Sequence, residues 1–488
     1  MLVVGLDLGT QSCKAVVCDE RMVVRGAHAI AYETAYPRPG WAEQDPGVWE
    51  AAIGPAIAGA IAEAGVAARD VAALAVSGQL DGCVAVDARG RVLHPALIWQ
   101  DRRAVEEAAR VDAAELFART GQVADAGHLA PKAAWLRARL ATRPARYHPP
   151  TTWIVERLTG ETVMDPALAS TTMLFDLAAR AWAPELLAAW ELEARELPRI
   201  AEATSVAGVL TAEGARISGL CAGTRVAVGT GDDFATPLGA GVVAPDGRAI
   251  CAIGTAEVVG ALAARATLDR AGAEPMVETH AYVGDAYFIE NPGWLSGGTL
   301  RWVRDLVGIA SDAELDAIAA TAPPGAGGVT FVPALAGAMT PRWRPHARGA
   351  FYGLAPGHDR AHVARAVLEG LAFACRDVVE RLAALGLPRD RVLLLGGGSR
   401  SRPWAQLRAD ALGLPHERAA SADTCPIGAA VLAAIAIGLH ADLASAAAAL
   451  PPPAEAFSPG PGAALDDAYG RYRRLVEALA PLSLASWA

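Results

Sequence analysis

The sequence predicts an α/β protein with two domains of similar architecture. Apolar strand-like segments alternate with segments of helical periodicity, which is typical of an α/β core. A strand, a glycine-containing turn and a second strand occur near residue 1 and again after residue 244. The length of 488 residues is typical of two to four domains. We therefore expect one domain at 1–243 and another at 244–488.

The first domain is predicted to open with a strand, a turn and a strand, LVVGLDLGT followed by QSCKAVVCDE. A third strand follows the turn at 19–21. Apolar residues with helical spacing predict a helix over 48–64. The run 71–77 predicts a buried strand that ends at Gly78 and Gln79. Further short strands are expected at 84–86 and 97–99, and the domain closes with a strand that enters a glycine-rich turn at 226–233.

The second domain repeats the opening pattern in AICAIGTAEVVGALAA, where Gly254 and Thr255 correspond to Gly9 and Thr10. Two unrelated hairpins would give the same pattern, so both interpretations stay open here. A strand at 392–395 runs into a third glycine turn at 396–398. Residues 450–461 are rich in Pro and Ala and are expected to form a loop, followed by a helix to Leu479.

Composition and charge exclude several classes of protein. The chain is 53% hydrophobic and 20% charged, as globular proteins are, and its net charge of −10 argues against a broad nucleic-acid-binding face. The longest apolar run, 427–439, is too short to cross a bilayer, and we expect no signal peptide. Seven cysteines without a C-x-x-C pair argue against disulfides and zinc. We expect a cytoplasmic protein with no nucleic-acid or membrane partner.

Three glycine turns at strand ends are typical of a nucleotide site between two domains. Glycine lets backbone N–H groups approach phosphate oxygens, and Thr10 adds a hydroxyl. The chain has only two lysines, Lys14 and Lys132, so backbone N–H groups, arginines and a metal would make most phosphate contacts. Asp7 is a candidate ligand of Mg²⁺, and Asp232 is a candidate proton acceptor. A solvated turn is the simpler interpretation of either aspartate alone; the three turns together favour a site.

Eight short motifs follow one another along nearly the whole chain. They read D-x-G-T-x-x-x-K, W-x-E-Q-D-P, W-x-D-x-R, A-P-K-x-x-W, G-x-G-D, S-G-G-x-x-R-W, G-x-F-x-G-L with V-x-x-A-V-L-E, and G-G-G-x-x-S-x-x-W. They begin at Asp7, Trp41, Trp99, Ala130, Gly229, Ser296, Gly349 and Gly396. In this order they resemble the FGGY family of carbohydrate kinases, most closely its xylulokinases.

The resemblance implies two ribonuclease H/actin-like ATPase domains with a cleft between them and an ATP-dependent sugar kinase. ATP and Mg²⁺ would be its cofactors and a small sugar or polyol its substrate; a homodimer is compatible with the family. Asp232 would be the catalytic base, and Asp7 would act with the metal. The substrate side is implied for Gln79, Leu80, Asp81, Trp99, Asp101, Arg103 and Asp233. The nucleotide side is implied for Gly9, Thr10, Gln11, Lys14, Gly254, Thr255, Gly297, Gly397, Gly398 and Ser399.

Three departures from the xylulokinase pattern bear on this interpretation. Many xylulokinases have G-Q-M-H-G where this chain has G-Q-L-D-G, so Asp81, which can only accept hydrogen bonds, replaces His. By analogy, Arg103 would be its basic partner. Asp233 replaces Asn, and Ala338-Met339 replaces Glu-Arg in G-E-R-T-P. The G-Q-x-D-G pattern is similar to that of erythritol and related polyol kinases. We expect D-xylulose, giving D-xylulose 5-phosphate, with a polyol such as erythritol or another ketose as the alternative.

Two rival functions use the same phosphate turns. An actin-like or chaperone-type ATPase would not be expected to carry the segment 79–81 together with Trp99, Asp101 and Arg103. A sugar-responsive transcription regulator would need a DNA-binding segment. The remaining candidates have simpler interpretations: packing for Cys13 and Cys18, helix packing for Trp182 and Trp190, a solvated helix start for His358 and His362, solvent or adenosine for Arg400 and Arg402, and core packing or sugar stacking for Trp99.

Overall fold

The computed structural model describes residues 1–270 and 275–482. The strands of its first half are β1 (Leu2–Leu8), β2 (Ser12–Cys18), β3 (Val24–Ala31), β4 (Glu43–Gln44), β5 (Val71–Gly78), β6 (Val84–Val86), β7 (Ala96–Leu97), β8 (Arg146–His148), β9 (Val163–Met164), β10 (Phe175–Asp176), β11 (Ala181–Trp182), β12 (Arg199–Ile200), β13 (Val206–Val209), β14 (Arg225–Ala227) and β15 (Thr230–Gly231). Its helices are α1 (Pro46–Ala64), α2 (Val105–Ala108), α3 (Ala113–Thr120), α4 (Leu129–Arg139), α5 (Pro150–Thr159), α6 (Pro166–Ser170), α7 (Pro184–Ala189), α8 (Ala212–Ser218) and α9 (Asp232–Leu238).

The second half begins with the first strand of a new sheet. Its strands are β16 (Arg248–Ile253), β17 (Ala256–Ala263), β18 (Glu278–Ala281), β19 (Tyr287–Leu295), β20 (Thr330–Val332), β21 (Ala350–Tyr352), β22 (Arg391–Leu395), β23 (His416–Arg418) and β24 (Glu455–Phe457). Its helices are α10 (Gly297–Val307), α11 (Asp312–Ala319), α12 (Arg360–Ala384), α13 (Arg402–Leu412), α14 (Thr424–Ala436), α15 (Leu443–Ala449) and α16 (Ala463–Leu479).

The two large sheets share one topology. In the first, the order is β13-β14-β5-β1-β2-β3, with β1–β2–β3 antiparallel and β1–β5–β14 parallel. In the second, the order is β18-β19-β17-β16-β22-β23-β24, with β16–β17–β19 antiparallel and β16–β22–β23 parallel. The opening hairpin therefore occupies the same place in each sheet, and the internal symmetry is confirmed over two unrelated hairpins. The α/β prediction is confirmed as well.

Each predicted glycine turn lies at the end of a central strand. The turn at Gly9 follows β1, the turn at Gly254 follows β16, and the turn at 396–398 follows β22. The third turn lies against the end of β16, because a Cβ on Gly398 would collide with Ile253. Lys14 of the opening hairpin and Arg400 beside the third turn lie 2.7 and 3.9 Å from Asp423, so the turns approach one another where the two halves meet. The boundary at 243/244 stays a prediction; the change of sheet falls between α9, which ends at Leu238, and β16, which begins at Arg248.

The two halves meet where α14 packs against α9 and against β1. A Cβ on Gly428 would collide with the carbonyl of Ala235, and one on Gly239 would collide with the carbonyl of Thr424. A Cβ on Gly5 of β1 would collide with the carbonyl of Pro426. Glycine at these positions lets backbones approach more closely than any side chain would permit. The apolar run at 427–439 is the buried core of this junction, and none of the helices in the described ranges could cross a membrane.

Local chemistry explains where the predicted helix α1 begins and ends. Asp45 caps it by accepting a hydrogen bond from the backbone of Gly47, Pro46 occupies its first position, and Gly65 ends it with φ of 67°. Four sequence predictions need correction. Trp182 lies in the strand β11, opposite Phe175, because the chain forms a hairpin there. The strand predicted at 97–99 ends at Leu97, and the expected loop at 450–461 contains β24, which pairs with β23.

The fourth correction concerns Asp232 and Asp233. The sequence predicts them in a glycine-rich turn beyond a strand, but they are the first two residues of the helix α9. The strand part of the prediction is confirmed in a shorter form, since β15 covers Thr230–Gly231 and pairs with the end of β5.

Candidate active site

Asp7 lies at the end of β1, opposite Lys14 of β2. Its side chain is 93% buried, since only 7% is exposed. Burial raises the pKa of this carboxyl above its ordinary value, and the positive charge of Lys14 opposes that rise. The turn beyond it is closed by a hydrogen bond from the N–H of Gly9 to the carbonyl of Ser12, at 3.0 Å. The first phosphate turn therefore presents a carboxylate and an ammonium group side by side.

The first turn is held in place by two polar side chains. Gln44 donates to the carbonyl of Thr10 at 2.7 Å, and the indole N–H of Trp99 donates to the Thr10 hydroxyl at 2.8 Å. Trp99 is thus in contact with the predicted phosphate turn. Gln11 follows with an exposed side chain, while its carbonyl accepts from the N–H of Tyr32 at 3.0 Å.

An ion pair crosses the junction at this turn. The Nζ atom of Lys14 lies 2.7 Å from Oδ1 of Asp423, which is the residue before α14 in the second half. Asp423 and Asp7 together raise the pKa of Lys14, against the lowering effect of burial. The Sγ atom of Cys425, the second residue of α14, lies 3.1 Å from the hydroxyl of Ser77. The start of α14 therefore lies directly against the ends of β1 and β5.

The second and third turns lie at the ends of β16 and β22. The N–H of Gly254 bonds to the carbonyl of Ala256 at 2.8 Å, and the first residue of α10, Gly297, donates to the carbonyl of Gly254 at 3.1 Å. In the third turn, the Ser399 hydroxyl donates to the carbonyl of Gly396 at 2.7 Å. A Cβ on Gly397 would meet no atom within 4 Å, so this backbone faces open space. Gly398 is different, because a Cβ there would collide with Ile253.

Asp232 and Asp233 are half-buried at the N-terminus of α9. Burial raises the pKa of Asp232 well above its usual value, and the nearby charges of Asp233 and Asp7 raise it further. Burial also raises the pKa of Asp233, with Glu290 and Asp81 as the next causes. These mutual effects place Asp7, Asp81 and Asp232 around one region. Among the described residues, Asp232 and Asp233 have no ion-pair partner.

The segment 79–81 follows β5 and is held in place by a hydrogen bond from Lys132. This fully buried ammonium group donates to the carbonyls of Asp81 and Ile98, both at 2.8 Å, and to that of Gly127. Burial lowers the pKa of Lys132 to about 8. Asp81 has φ of 58°, a left-handed backbone conformation that is uncommon outside glycine. Lys132 thus stabilises the loop through its carbonyl groups.

The basic partner of Asp81 is His128, and the prediction of Arg103 is wrong. The Nδ1–H group of His128 lies 3.2 Å from Oδ1 of Asp81 and 2.8 Å from the carbonyl of Thr171. Burial alone would lower the pKa of His128, but Asp81 and then Glu278 raise it to about 9. Conversely, burial would raise the pKa of Asp81, but His128 and Lys132 hold it below its usual value.

Arg103 is bound instead to Asp101 and to Glu43. Its guanidinium lies 2.7 Å from each carboxylate and 3.6 Å above the ring of Trp41. Asp101 is fully buried, and its Oδ2 also accepts from the N–H of Ala42. The Nη1 atom of Arg103 is buried and has no hydrogen-bond partner within residues 1–270 and 275–482. A direct sugar contact of either residue stays a prediction, and Nη1 is the atom free to make one.

Gln79 and Leu80 lie deeper than a sugar-binding loop would suggest. Gln79 is 1% exposed and donates to Gln44, the residue that holds the first turn, at 2.9 Å. Leu80 is buried, and its side chain fills the space that a Cβ on Gly231 would need, next to Asp232. Gln79 and Leu80 therefore connect the loop at 79–81 with the first glycine turn and with Asp232, the candidate base.

The sequence interpretation missed a group of buried residues contributed by the second half. Glu278 and Glu290 lie opposite each other on β18 and β19. Oε1 of Glu278 accepts from the N–H of Val123 at 2.6 Å, and Nε2 of His280 lies 3.1 Å from Oε1 of Glu290. No glycine turn or repeat marks this segment of the sequence. The A-P-K-x-x-W motif contains Lys132, but the motif gives no indication that this lysine binds the loop at 79–81.

The other candidates have clear places. Cys13 and Cys18 are buried, free and part of the core, as predicted, and Trp190 is fully buried. His358 precedes Asp359, the cap of α12, and His362 lies 2.8 Å from that carboxylate, so the helix-start interpretation is confirmed. Arg400 and Arg402 are largely exposed and lie near Asp423 and Glu455. Contact of either arginine with adenosine stays a prediction.

The fit of a magnesium ion rests on Asp7 and Asp232. The charge of Asp7 contributes to the raised pKa of Asp232, after burial and Asp233, and the only cation beside Asp7 in the described ranges, Lys14, already pairs with Asp423. Carboxylate oxygens are the ligands that Mg²⁺ prefers. The donor set therefore fits a divalent cation at Asp7.

The duplicated sheet topology and the three turns at the junction define a phosphotransferase of the actin-like ATPase class. A model of the FGGY family of carbohydrate kinases matches the chain in two parts, the N-terminal domain at residues 2–239 and the C-terminal domain at 249–437. The chain therefore belongs to the FGGY family of carbohydrate kinases, which are ATP-using enzymes that act on sugars or polyols.

Two curated relatives show how broad that statement must be. The chain is 34% identical over 445 residues to a xylulose kinase of Klebsiella pneumoniae, covering 90% of this chain and 91% of the relative. It is 36% identical over 469 residues to a glycerol kinase of Gloeobacter violaceus, covering 92% and 91%. A crystal structure of a xyloylose kinase from Brucella ovis has a TM-score of 0.88 at 33% identity and covers 99% of this chain and 100% of that one.

Proposed function

We propose that this kinase transfers the γ-phosphoryl group of ATP to a hydroxyl of a small uncharged ketose, with D-xylulose as the first candidate and D-xylulose 5-phosphate as its product. The observation that carries the proposal is Asp232, a carboxyl group without an ion-pair partner in the described chain, at the start of α9 beside the phosphate turn. A carboxylate in this position can accept the proton of an attacking hydroxyl.

The residues around Asp232 provide the rest of the reaction. The N–H groups of the turns at 9–10, 254–255 and 397–398 are the candidate phosphate donors, with Lys14 adding a positive charge. Asp7 would hold Mg²⁺, which supplies charge neutralisation to the β- and γ-phosphates when bound. The substrate hydroxyl would lie between Asp232 and the phosphate turn. Phosphoryl transfer needs mainly positioning and charge stabilisation. Closure of the junction would also exclude water, which competes with the substrate hydroxyl as the phosphoryl acceptor.

A polyol is the second candidate substrate, and Asp81 favours it. Its carboxylate is held ionised by His128 and is 21% exposed as a side chain, so it can accept hydrogen bonds from hydroxyl groups. A chain of hydroxyl groups satisfies such an acceptor, whether it is erythritol, glycerol or a pentitol. Asp233, where xylulokinases have Asn, adds a second acceptor on the same side.

The test is ADP release from Mg-ATP with a panel of ketopentoses, ketohexoses and alditols from glycerol to hexitols. The expected result is stimulation by D-xylulose far above that by the other sugars. Preferential stimulation by an alditol would replace the first candidate with the second. Turnover that no member of the panel stimulates, together with filament formation, would contradict the kinase proposal and favour the actin-like alternative.

A further inference from the structure

The strands β18 and β19 bring three titratable side chains of the second half close to the loop at 79–81 of the first half. Glu278 and Glu290 are cross-strand partners, and His280 is two residues from Glu278, so all three project from one face of the sheet. Glu278 lies 3.9 Å from His128, which in turn contacts Asp81. This face therefore forms a wall opposite Asp81, and we call Glu278, His280 and Glu290 the β18–β19 wall.

The wall is fixed to the first half by hydrogen bonds. The N–H of Thr279 donates to the carbonyl of Gly121 at 3.0 Å, and the N–H of Ala281 donates to the Ser170 hydroxyl at 3.1 Å. The ring of His280 lies edge-on to Phe234, the residue after Asp233, with centroids 5.6 Å apart. The wall thus extends to the start of α9, where the candidate base lies.

The hydrogen bonds of His280 determine its tautomer. Nε2 of Gln122 lies 3.4 Å from the carbonyl of Thr279 and 3.2 Å from Nδ1 of His280. An amide nitrogen only donates, so Nδ1 of His280 accepts, and the single proton of the neutral ring is on Nε2. Burial lowers the pKa of His280 to about 4, which agrees with a neutral ring. Nε2–H therefore lies 3.1 Å from Oε1 of Glu290 without the geometry of a hydrogen bond, and it has no hydrogen-bond partner among the described residues.

Two buried atoms of this pair lack a hydrogen-bond partner. Glu290 is 1% exposed, and neither its Oε2 nor Nε2 of His280 has a partner among the described residues. A buried polar atom without a partner is costly, so such atoms in folded proteins commonly mark a ligand or ordered water. A hydroxyl group can both donate and accept, so it satisfies this oxygen whether or not the acid is ionised.

We propose that Glu290 is a specificity-determining residue of the second half whose Oε2 binds a hydroxyl of the sugar or polyol, and that the site selects uncharged polyhydroxy substrates over sugar acids. The second part follows from the acidic groups that face this region, which are Asp81, Asp232, Asp233, Glu278 and Glu290. The bases beside them are Lys132, which already donates to three carbonyl groups, His128, which pairs with Asp81, and the neutral His280. Burial leaves the pKa of all these acids except Asp81 raised, so a ligand carboxylate would meet the same cost of ionisation while Lys132 and His128 are already engaged.

The inference rests on the proposed kinase function, and the first measurement separates the two. The unmodified enzyme is tested with Mg-ATP on matched pairs of alditol and aldonate of equal length, alongside the ketoses. Activity on none of the uncharged compounds would count against the proposed function itself. Activity on an uncharged compound with at least about 100-fold lower kcat/KM on the matched acid is the expected result, and similar values for both would overturn the charge argument without touching the kinase assignment.

The second measurement uses Glu290→Gln, which keeps the shape of the side chain. Losing a hydrogen bond to a charged or strongly polar group should lower kcat/KM on the best uncharged substrate about 10- to 100-fold, mainly through KM. Glu369→Gln is the matched control, because Glu369 is an equally buried acid of the second half that pairs with Arg365 away from the wall. The control should leave the ratio of alditol to aldonate efficiency unchanged.

The ratio of efficiencies is the decisive readout, because a merely structural effect would lower both members of a pair alike. Glu290→Gln should narrow the alditol-to-aldonate ratio by about 10-fold or more. Unchanged KM and an unchanged ratio in a folded Glu290→Gln enzyme would overturn the proposal. If that variant does not fold, Glu290→Asp, which retracts Oε2 by one methylene, gives the same comparison, and the matched pairs on the unmodified enzyme still decide the charge argument.

Discussion

The opening hairpins of the two halves have the same topology but treat a buried acid in opposite ways. In the second half, both oxygens of Glu257 are bound by the guanidinium of Arg408, at 2.7 and 2.6 Å, and Ser296 donates to one of them. In the first half, Asp7 is left with Lys14 beside it, and Lys14 is already paired with Asp423. In the second half, Arg408 neutralises the buried acid of the opening hairpin, whereas in the first half Asp7 remains available to bind a ligand.

The difference indicates how a duplicated fold can divide its tasks. Cys251, Glu257 and Cys375 lie close enough together to resemble a metal site, but Arg408 supplies a positive charge to the carboxylate of Glu257 there. A satisfied buried pair stabilises one arrangement and has no capacity left for chemistry. Unsatisfied carboxylates reduce stability and are available for catalysis.

The largest expected effect is the loss of turnover when Asp232, the candidate base, is replaced. Asp232→Asn keeps the size of the side chain and removes proton acceptance, so kcat should fall about 10²- to 10⁴-fold. The melting temperature should stay equal or rise, because a carboxyl group crowded by Asp233 and Asp7 is lost. Asp233→Asn is the control and should act mainly on KM. Near-normal turnover of Asp232→Asn would assign the base elsewhere.

Substitutions in the Glu257–Arg408 pair should change the free energy of unfolding and not the catalytic activity. Glu257→Leu leaves the fully buried Arg408 without its partner and should lower the free energy of unfolding by about 3–5 kcal/mol. The double variant Glu257→Leu/Arg408→Met should recover most of that loss. Denaturant unfolding of both proteins measures this. Equal losses in the single and double variants would show that the pair is not what stabilises this hairpin.

Asp7→Ala should separate the two roles further. Removing a candidate metal ligand should lower turnover about 10- to 100-fold and raise the magnesium concentration needed for half-maximal activity. Without nucleotide, the melting temperature should change little, because burial already makes the ionised carboxylate of Asp7 unfavourable, which offsets its interactions with Lys14 and Cys425. The stabilisation by Mg-ATP seen in a thermal scan should be lost. Normal magnesium dependence in this variant would remove Asp7 from the site, and an unfolded variant would give it a structural role.

The smallest expected effect is a pH dependence at His128. Its folded pKa of about 9 lies above the ordinary value of 6.5. The stabilising contribution is therefore fully present below pH 6.5 and is lost as the pH rises through about 9. The melting temperature of the unmodified enzyme should fall by a few degrees across this window, and that of His128→Gln should fall less. A melting temperature that increases over the same window would contradict the ion pair with Asp81.

The phosphate turns could be predicted from the sequence because each depends on neighbouring residues. An apolar strand followed by glycine is a local signal, and Asp7, Gly9 and Thr10 carry it within four positions. The sugar side depends on contacts between distant segments. His128 is 47 residues from Asp81, and the β18–β19 wall approaches Gln122 from more than 150 positions away. No spacing rule reaches that far, and the family analogy that points to Arg103 does not indicate His128.

The glycine crossing of α9 and α14 has a mechanical consequence. Rotation of one half against the other about this crossing moves each atom in proportion to its distance from the pivot. Asp232, the candidate base, begins one of the crossing helices, and Asp423, the ion-pair partner of Lys14, immediately precedes the other, so both lie close to this crossing. The contacts of β18 with Gly121 and Ser170 connect the halves through other elements. The lever arm is thus shortest where alignment within a fraction of an ångström decides the rate.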